Sequence, residues 1–290
     1  MFTNIYAQPL QGTTRVIETV DGALLHTVSA GVGPRTVLLA HGFASEANAW
    51  SMLAHMLVER GFRVIAFDQR GHGQSTVGSS GVSTTAMSLD YGAVLEVYDL
   101  HDVILVGHSM GGFLSIAFLL EQHVALSQRV SALMLMASFA GSVTKNAPQN
   151  NAQIPMIKSG VLQKMLRFGP VQQAFTKSLV GDHYDKAMAD AFIPAFLRAD
   201  HPKLIPILEA MVTEDRYKQL GELNLPCTVV VGTEDHTTPP FHSIDLHKGI
   251  ANSRRVTLIG TGHALNWEVP EKIASLISEL AAIPTSSSVS

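Results

Sequence analysis

Short apolar runs alternate with longer amphipathic stretches along most of the chain. Val103-Ile104-Leu105-Val106 and Thr228-Val229-Val230-Val231 are two such runs, and others cover residues 36–40, 63–67, 130–136 and 255–259. Each has the length of a strand and is apolar almost throughout, as parallel strands covered on both faces require. Two further runs, 15–20 and 24–29, flank Asp21-Gly22, a dipeptide suited to a tight hairpin. Helical spacing covers 48–60, 84–98, 111–123, 244–249 and 270–282. The alternation predicts an α/β fold: a doubly wound, mostly parallel sheet of about eight strands, with right-handed crossovers and an antiparallel hairpin at its start.

One connection breaks the rhythm. No strong strand pattern occurs over residues 139–225, which is far more chain than a crossover needs. The stretch reads as short helices at 161–168, 171–179, 184–197 and 203–211, punctuated by Pro155, Pro170, Pro194, Pro202 and Pro206. It is too long for a structureless loop, so it is expected to be an inserted helical cap. The core would then comprise residues 1–138 and 226–282, with 283–290 as a flexible tail.

Composition narrows the picture. Apolar residues make up 46% of the 290 and charged ones 15%, which excludes a largely disordered chain. Twenty Lys and Arg against 24 Asp and Glu leave a net charge of −4 with no basic block, so a nucleic-acid partner is not expected. Cys227, the single cysteine, opens an apolar run and is expected to be a small core residue. The N-terminal stretch lacks the basic start and apolar run of a signal peptide, and no segment has the length of a membrane span. A cytoplasmic protein is expected.

The candidate chemistry begins where the run 103–106 ends, at Gly107-His108-Ser109-Met110-Gly111. A sharp strand-to-helix turn places the central residue in a strained backbone region and crowds the positions two residues to either side. Glycine at 107 and 111 relieves that crowding and leaves the Ser109 hydroxyl exposed as a nucleophile. The helix that follows aims backbone N–H groups at the same place. An ordinary serine–glycine turn is the plain alternative, but the strand before, the small-residue helix start after and the absence of a second copy argue against it.

A serine needs a base, and the base an orienting acid. His263 lies in Thr261-Gly262-His263-Ala264, after the last strand, at the sheet edge where such loops converge. The acid is expected in Gly232-Thr233-Glu234-Asp235-His236, after the strand ending at Val231. Asp235 is chosen, three residues past the glycine, with its neighbour Glu234 as the fallback. His41 and His236, at strand ends, are candidate pocket residues, as are His108 and Trp267, although plain packing is the first reading of the last two. His55, His123 and His247 lie in or at the end of helices and read as surface or packing residues.

These residues, with His41-Gly42-Phe43, the segment from Asp68 to Ser75, Gly107 to Gly112 and Gly232 to Pro239, give the chain its likeness: it resembles the α/β-hydrolase-fold superfamily over nearly its whole length outside the insert. The resemblance implies a Ser109–Asp235–His263 triad in the family's chain order and an oxyanion hole from the backbone N–H groups of Phe43 and Met110. It assigns Asp68 and Arg70 to loop architecture. It requires no metal and no organic cofactor.

Serine at 109 argues against the epoxide hydrolases and haloalkane dehalogenases of this superfamily, which carry aspartate there. The expected activity is cleavage of small, fairly hydrophobic carboxylic esters, as by an esterase or small lipase, because the insert is rich in Met and Phe: Met156, Met165, Phe168, Phe175, Met188, Phe192, Phe196 and Met211. The partner would be a small-molecule ester, and a homodimer is left open. A carbon–carbon hydrolase of the meta-cleavage type is the nearest rival. It would need a cap arginine for its substrate carboxylate, for which Arg167 or Arg198 is available. Thioesterase, lactonase and a non-catalytic ligand receptor are further alternatives.

Overall fold

The computed structural model describes residues 4–121 and 124–283. His123 and nearly all of the expected tail, 284–290, lie outside the described residues, and the helix expected over 111–123 ends at Glu121. Among the described residues, eight strands form one sheet in the order β1-β2-β4-β3-β5-β6-β7-β8. β1 (Thr13–Glu18) and β2 (Leu24–Ala30) form the expected hairpin, and β2 also pairs antiparallel with β4 (Arg63–Phe67). All other pairings are parallel: β3 (Thr36–Ala40) with β4 and with β5 (Val103–His108), then β6 (Val130–Met136), β7 (Cys227–Gly232) and β8 (Ser253–Leu258).

The unbroken apolar runs follow from two covered faces. On β3, Val37 and Leu39 point to one core, shared with α1 (Ser51–Glu59) and α12 (Pro270–Ala281). Leu38 and Ala40 point to the other, shared with α2 (Thr84–Val97) and α3 (Met110–Glu121). Each buried Val, Leu or Ile contributes roughly 1.5–3 kcal/mol, so the central strands tolerate few polar positions. The edges differ. Along β1 only Ile17 is buried, β8 is at most half-buried, and Ile259, expected inside the last strand, is exposed just beyond it.

The long connection from β6 to β7 contains α5 (Pro148–Lys158), α6 (Val161–Met165), α7 (Gly169–Lys177), α8 (Lys186–Arg198) and α9 (His201–Thr213). The prolines do not all punctuate it. Pro170 and Pro202 sit in the first turns of α7 and α9, where the missing N–H costs nothing, but Pro155, Pro194 and Pro206 lie inside α5, α8 and α9. The insert is tied to the N-terminal segment as well. Asn4 Nδ2 donates to the Ala187 carbonyl at 2.8 Å, and Tyr6 packs against a cluster of Val180 and Met188 from the insert with Trp267 from the core.

Candidate active site

Ser109 stands between β5 and α3 with φ 53°, in the left-handed region that costs a non-glycine residue energy. The surrounding backbone leaves no room for other side chains. A Cβ at Gly107 would lie 2.5 Å from the Gly112 Cα, and one at Gly111 would lie 2.2 Å from the Ala40 carbonyl oxygen. Ser109 N–H donates to the Met136 carbonyl at 2.9 Å, and the Ser109 carbonyl accepts from Gly112, Phe113 and the Ser138 hydroxyl. The turn is therefore fixed from β6 as well as from its own helix.

His263 and Asp235 meet as the sequence suggests. Nδ1 of His263 lies 3.1 Å from Oδ2 and 3.2 Å from Oδ1 of Asp235. A carboxylate there keeps the proton on Nδ1 and leaves the Nε2 lone pair free to act as a base. Oδ1 also accepts from the backbone of Thr237 and Thr238, and Oδ2 from the Thr238 hydroxyl at 2.7 Å. Burial by itself would raise the Asp235 carboxyl. The His263 ring and the Thr238 donors outweigh it and hold Asp235 below the ordinary carboxylate value. Glu234 is exposed, as the alternating direction of neighbouring side chains requires once Asp235 turns inward.

Ser109 and His263 line one cavity of about 150 Å³. Sheet-edge residues form part of its wall, among them His41, Phe43, Trp50 and His108, and Trp267 joins them. The insert supplies an apolar side: Ile154, Ile157, Phe175, Phe192, Phe196 and Met211. Of the other insert residues singled out above, Met188 packs against Trp267 and Val180, Met156 packs partly buried in the core, and Met165 and Phe168 are exposed. His236 is a correction. It is exposed and off the cavity wall, because it follows inward-turned Asp235 and so points outward.

The two proposed oxyanion donors differ in how the structure holds them. Met110 is the first residue of α3, so its N–H belongs to the turn that has no intrahelical acceptor. Its side chain is fully buried. Phe43 lies on the cavity wall, and the chain before it comes so close that a Cβ at Gly42 would be 3.2 Å from the Ser109 Cβ. His41 braces that segment: its Nδ1–H donates to the Gly42 carbonyl at 2.8 Å, and its Nε2 accepts from Gln69 N–H at 3.0 Å.

The segment after β4 is held by its own charged residues. Asp68 accepts from the backbone of Ala47 and Gln74, and buried Arg70 pairs with Asp90 and Asp21. Among the described residues, no group of three or more His, Cys, Asp or Glu is placed to hold a metal ion. None of the described helices is long and apolar enough to cross a membrane.

The sequence reading missed Thr238. Its position three residues after Asp235 is the spacing at which a hydroxyl and backbone N–H can cap a carboxylate, so a signal was present. It also missed Gln69, which donates to the His41 carbonyl, and Asn150 and Gln153 on the cavity wall.

Residues 37–276 match the alpha/beta hydrolase family, and the chain belongs to it. One relative is the AB hydrolase superfamily protein YisY of Bacillus subtilis, 27% identical over 269 residues, which are 91% of this chain and 98% of that protein. A 2-hydroxy-6-oxononadienedioate/2-hydroxy-6-oxononatrienedioate hydrolase of Cupriavidus pinatubonensis is 28% identical over 282 residues, 92% of this chain and 95% of that protein. Among solved structures, the esterase EaEST from Exiguobacterium antarcticum aligns with a TM-score of 0.82 at 23% identity, covering 94% of this chain and all of that one, a likeness of fold.

Proposed function

We propose that the chain is a serine hydrolase of small, uncharged carboxylic esters, with residues 139–225 acting as the cap over its site. Ser109 attacks the ester carbonyl while His263 Nε2 takes the hydroxyl proton. Asp235 holds the ring and stabilises its cation, and the N–H groups of Phe43 and Met110 receive the oxyanion. His263 then returns the proton to the leaving alcohol, and a water activated in the same way releases the acid. One observation carries this reading: a strained serine and a histidine oriented by a buried carboxylate face the same apolar cavity.

The carbon–carbon hydrolase reading is weaker on this wall. The substrate in that relative's name is a dioate, with two carboxylates. No Lys or Arg lines the cavity among the described residues; Arg167 is exposed, and Arg198 pairs with Glu46 away from the wall. An unpaired carboxylate there would lose its hydration without gaining a partner.

Incubation of wild type and Ser109→Ala with a fluorophosphonate, followed by mass spectrometry, tests the mechanism, alongside a panel of nitrophenyl esters, thioesters and lactones. Ser109-dependent labelling with ester turnover is the expected result. Labelling without turnover of any panel member points to a carbon–carbon hydrolase or a ligand receptor. Absence of labelling overturns the triad.

A further inference from the structure

The loop carrying His263 is bonded directly to the insert. The N–H groups of His263 and Ala264 both donate to the Leu179 carbonyl, at 2.8 and 3.2 Å, and Asp182 N–H donates to the Gly260 carbonyl at 2.7 Å. The two segments touch backbone to backbone. A Cβ on Gly181 would lie 2.1 Å from the Gly260 carbonyl oxygen, and one on Gly262 would lie 2.6 Å from the Gly181 nitrogen.

Glu268 sits across this junction. Its Oε2 accepts from Gly181 N–H at 2.8 Å, and both carboxylate oxygens accept from Gly262 N–H at 3.0 Å. The side chain belongs to the short helix α11 (Leu265–Glu268), and the residue is only 9% exposed. Burial raises its carboxyl, opposed by those two N–H donors and by His183. A buried carboxylate whose acceptors are used on backbone amides of two separate segments fixes both segments at once.

We infer that Glu268 is a positioning residue: by clasping Gly262 and Gly181 it sets the orientation of His263 and the seating of the insert together. The inference rests on the acyl-enzyme reading of Ser109 and His263. It means that the cavity roof and the base cannot shift independently, since the residue beside His263 and the insert share one acceptor oxygen. Misplacement of a catalytic group by about 1 Å costs on the order of 10²-fold in rate.

The test compares wild type, Glu268→Ala, Glu268→Gln and Gly181→Ala in the full chain. Amide hydrogen exchange reads the clasp, and the rate of fluorophosphonate labelling reads the base. In Glu268→Ala, exchange should quicken in peptides covering 179–182 and 260–264, and labelling should slow by on the order of 10²-fold. Glu268→Gln should recover part of the rate: its carbonyl oxygen at the Oε2 position can accept from both amides, while its NH2 replaces the Oε1 that also accepted from Gly262 N–H. Gly181→Ala leaves Glu268 intact but forces the segments apart, and should slow labelling too; wild-type labelling in it overturns the coupling of the insert to His263, and where Glu268→Ala does not fold, Glu268→Gln takes its place in both readouts. Unchanged exchange in Glu268→Ala overturns the clasp. Altered exchange with wild-type labelling overturns the positioning role. A wild type that does not label overturns the acyl-enzyme reading itself, and the catalytic role of Glu268 with it, whatever the exchange shows.

Discussion

His108 Nε2 lies 2.9 Å from the carbonyl oxygen of His263, and the two imidazole rings are 4.7 Å apart. The residue before Ser109 thus holds the backbone of His263. The carbonyl can only accept, so His108 carries its proton on Nε2. Burial, and after it the nearby His263 ring, push the His108 pKa down to about 3, keeping it a neutral donor.

His108→Ala removes that donor, leaving the His263 carbonyl with only the Leu265 N–H at 3.0 Å, and empties the space of a buried ring that packs against Trp50 and His263. Thermal or urea unfolding should show a loss of roughly 1–3 kcal/mol, from the lost hydrogen bond and the cavity together. Ester turnover should fall as well, because the His263 backbone loses a support. Full activity in this variant would show that the contact does no more than fill space.

Asp235→Asn should keep the fold and lose turnover by on the order of 10⁴-fold, since an amide can present N–H to Nδ1 and favour the wrong ring tautomer. The amide group also cannot accept from all the donors now shared by Thr237 and Thr238. Comparing kcat/KM on one nitrophenyl ester measures the loss.

The uncharged wall predicts discrimination against anions. A nitrophenyl half-ester of succinic acid should be hydrolysed slower than the butyrate ester of similar length. The difference in kcat/KM should be on the order of 10²-fold or more, given the several kcal/mol needed to bury an unpaired charge. Equal rates would mean that the carboxylate finds a cation or stays in water.

Stability should decline in mild acid. His108 and His72 are both held to about 3, in each case first by burial. In the unfolded chain such rings titrate near ~6.5. As pH falls from about 6.5 toward 3, the unfolded state binds protons that the folded state refuses, so stability drops across that window. Above it these two groups contribute no slope. Thermal unfolding from about pH 7.5 to pH 4 measures this, and His72→Gln should flatten part of the decline.

Much of this arrangement is legible in the sequence because its causes are local. Gly107, Ser109 and Gly111 answer to the geometry of one turn, and the runs that became β3, β4 and β6 answer to burial on both faces. Asp235 is separable from Glu234 because adjacent side chains point apart, and the same rule should have placed His236 outside. What escaped depends on distant partners. Glu268 acts on an amide 87 positions away, and Gln69 on a carbonyl 28 away, neither of which leaves a periodic trace. Helix α5 escaped for another reason: in Pro148–Lys158 only Asn150 and Ile157 are buried, and Pro155 sits inside it. Too little apolar surface marks the face it turns inward.

The contact of Asn4 with Ala187, with Tyr6 against the cluster of Val180 and Met188, has a consequence for recombination between relatives. Grafting another protein's segment between β6 and β7 would be a natural way to change what the cavity accepts. Here that segment is stitched to residues 4–6 on one side and to the Gly260–Gly262 loop on the other. It is no interchangeable cassette: a working chimera has to bring residues 4–6 and a matching glycine pair along with the helices.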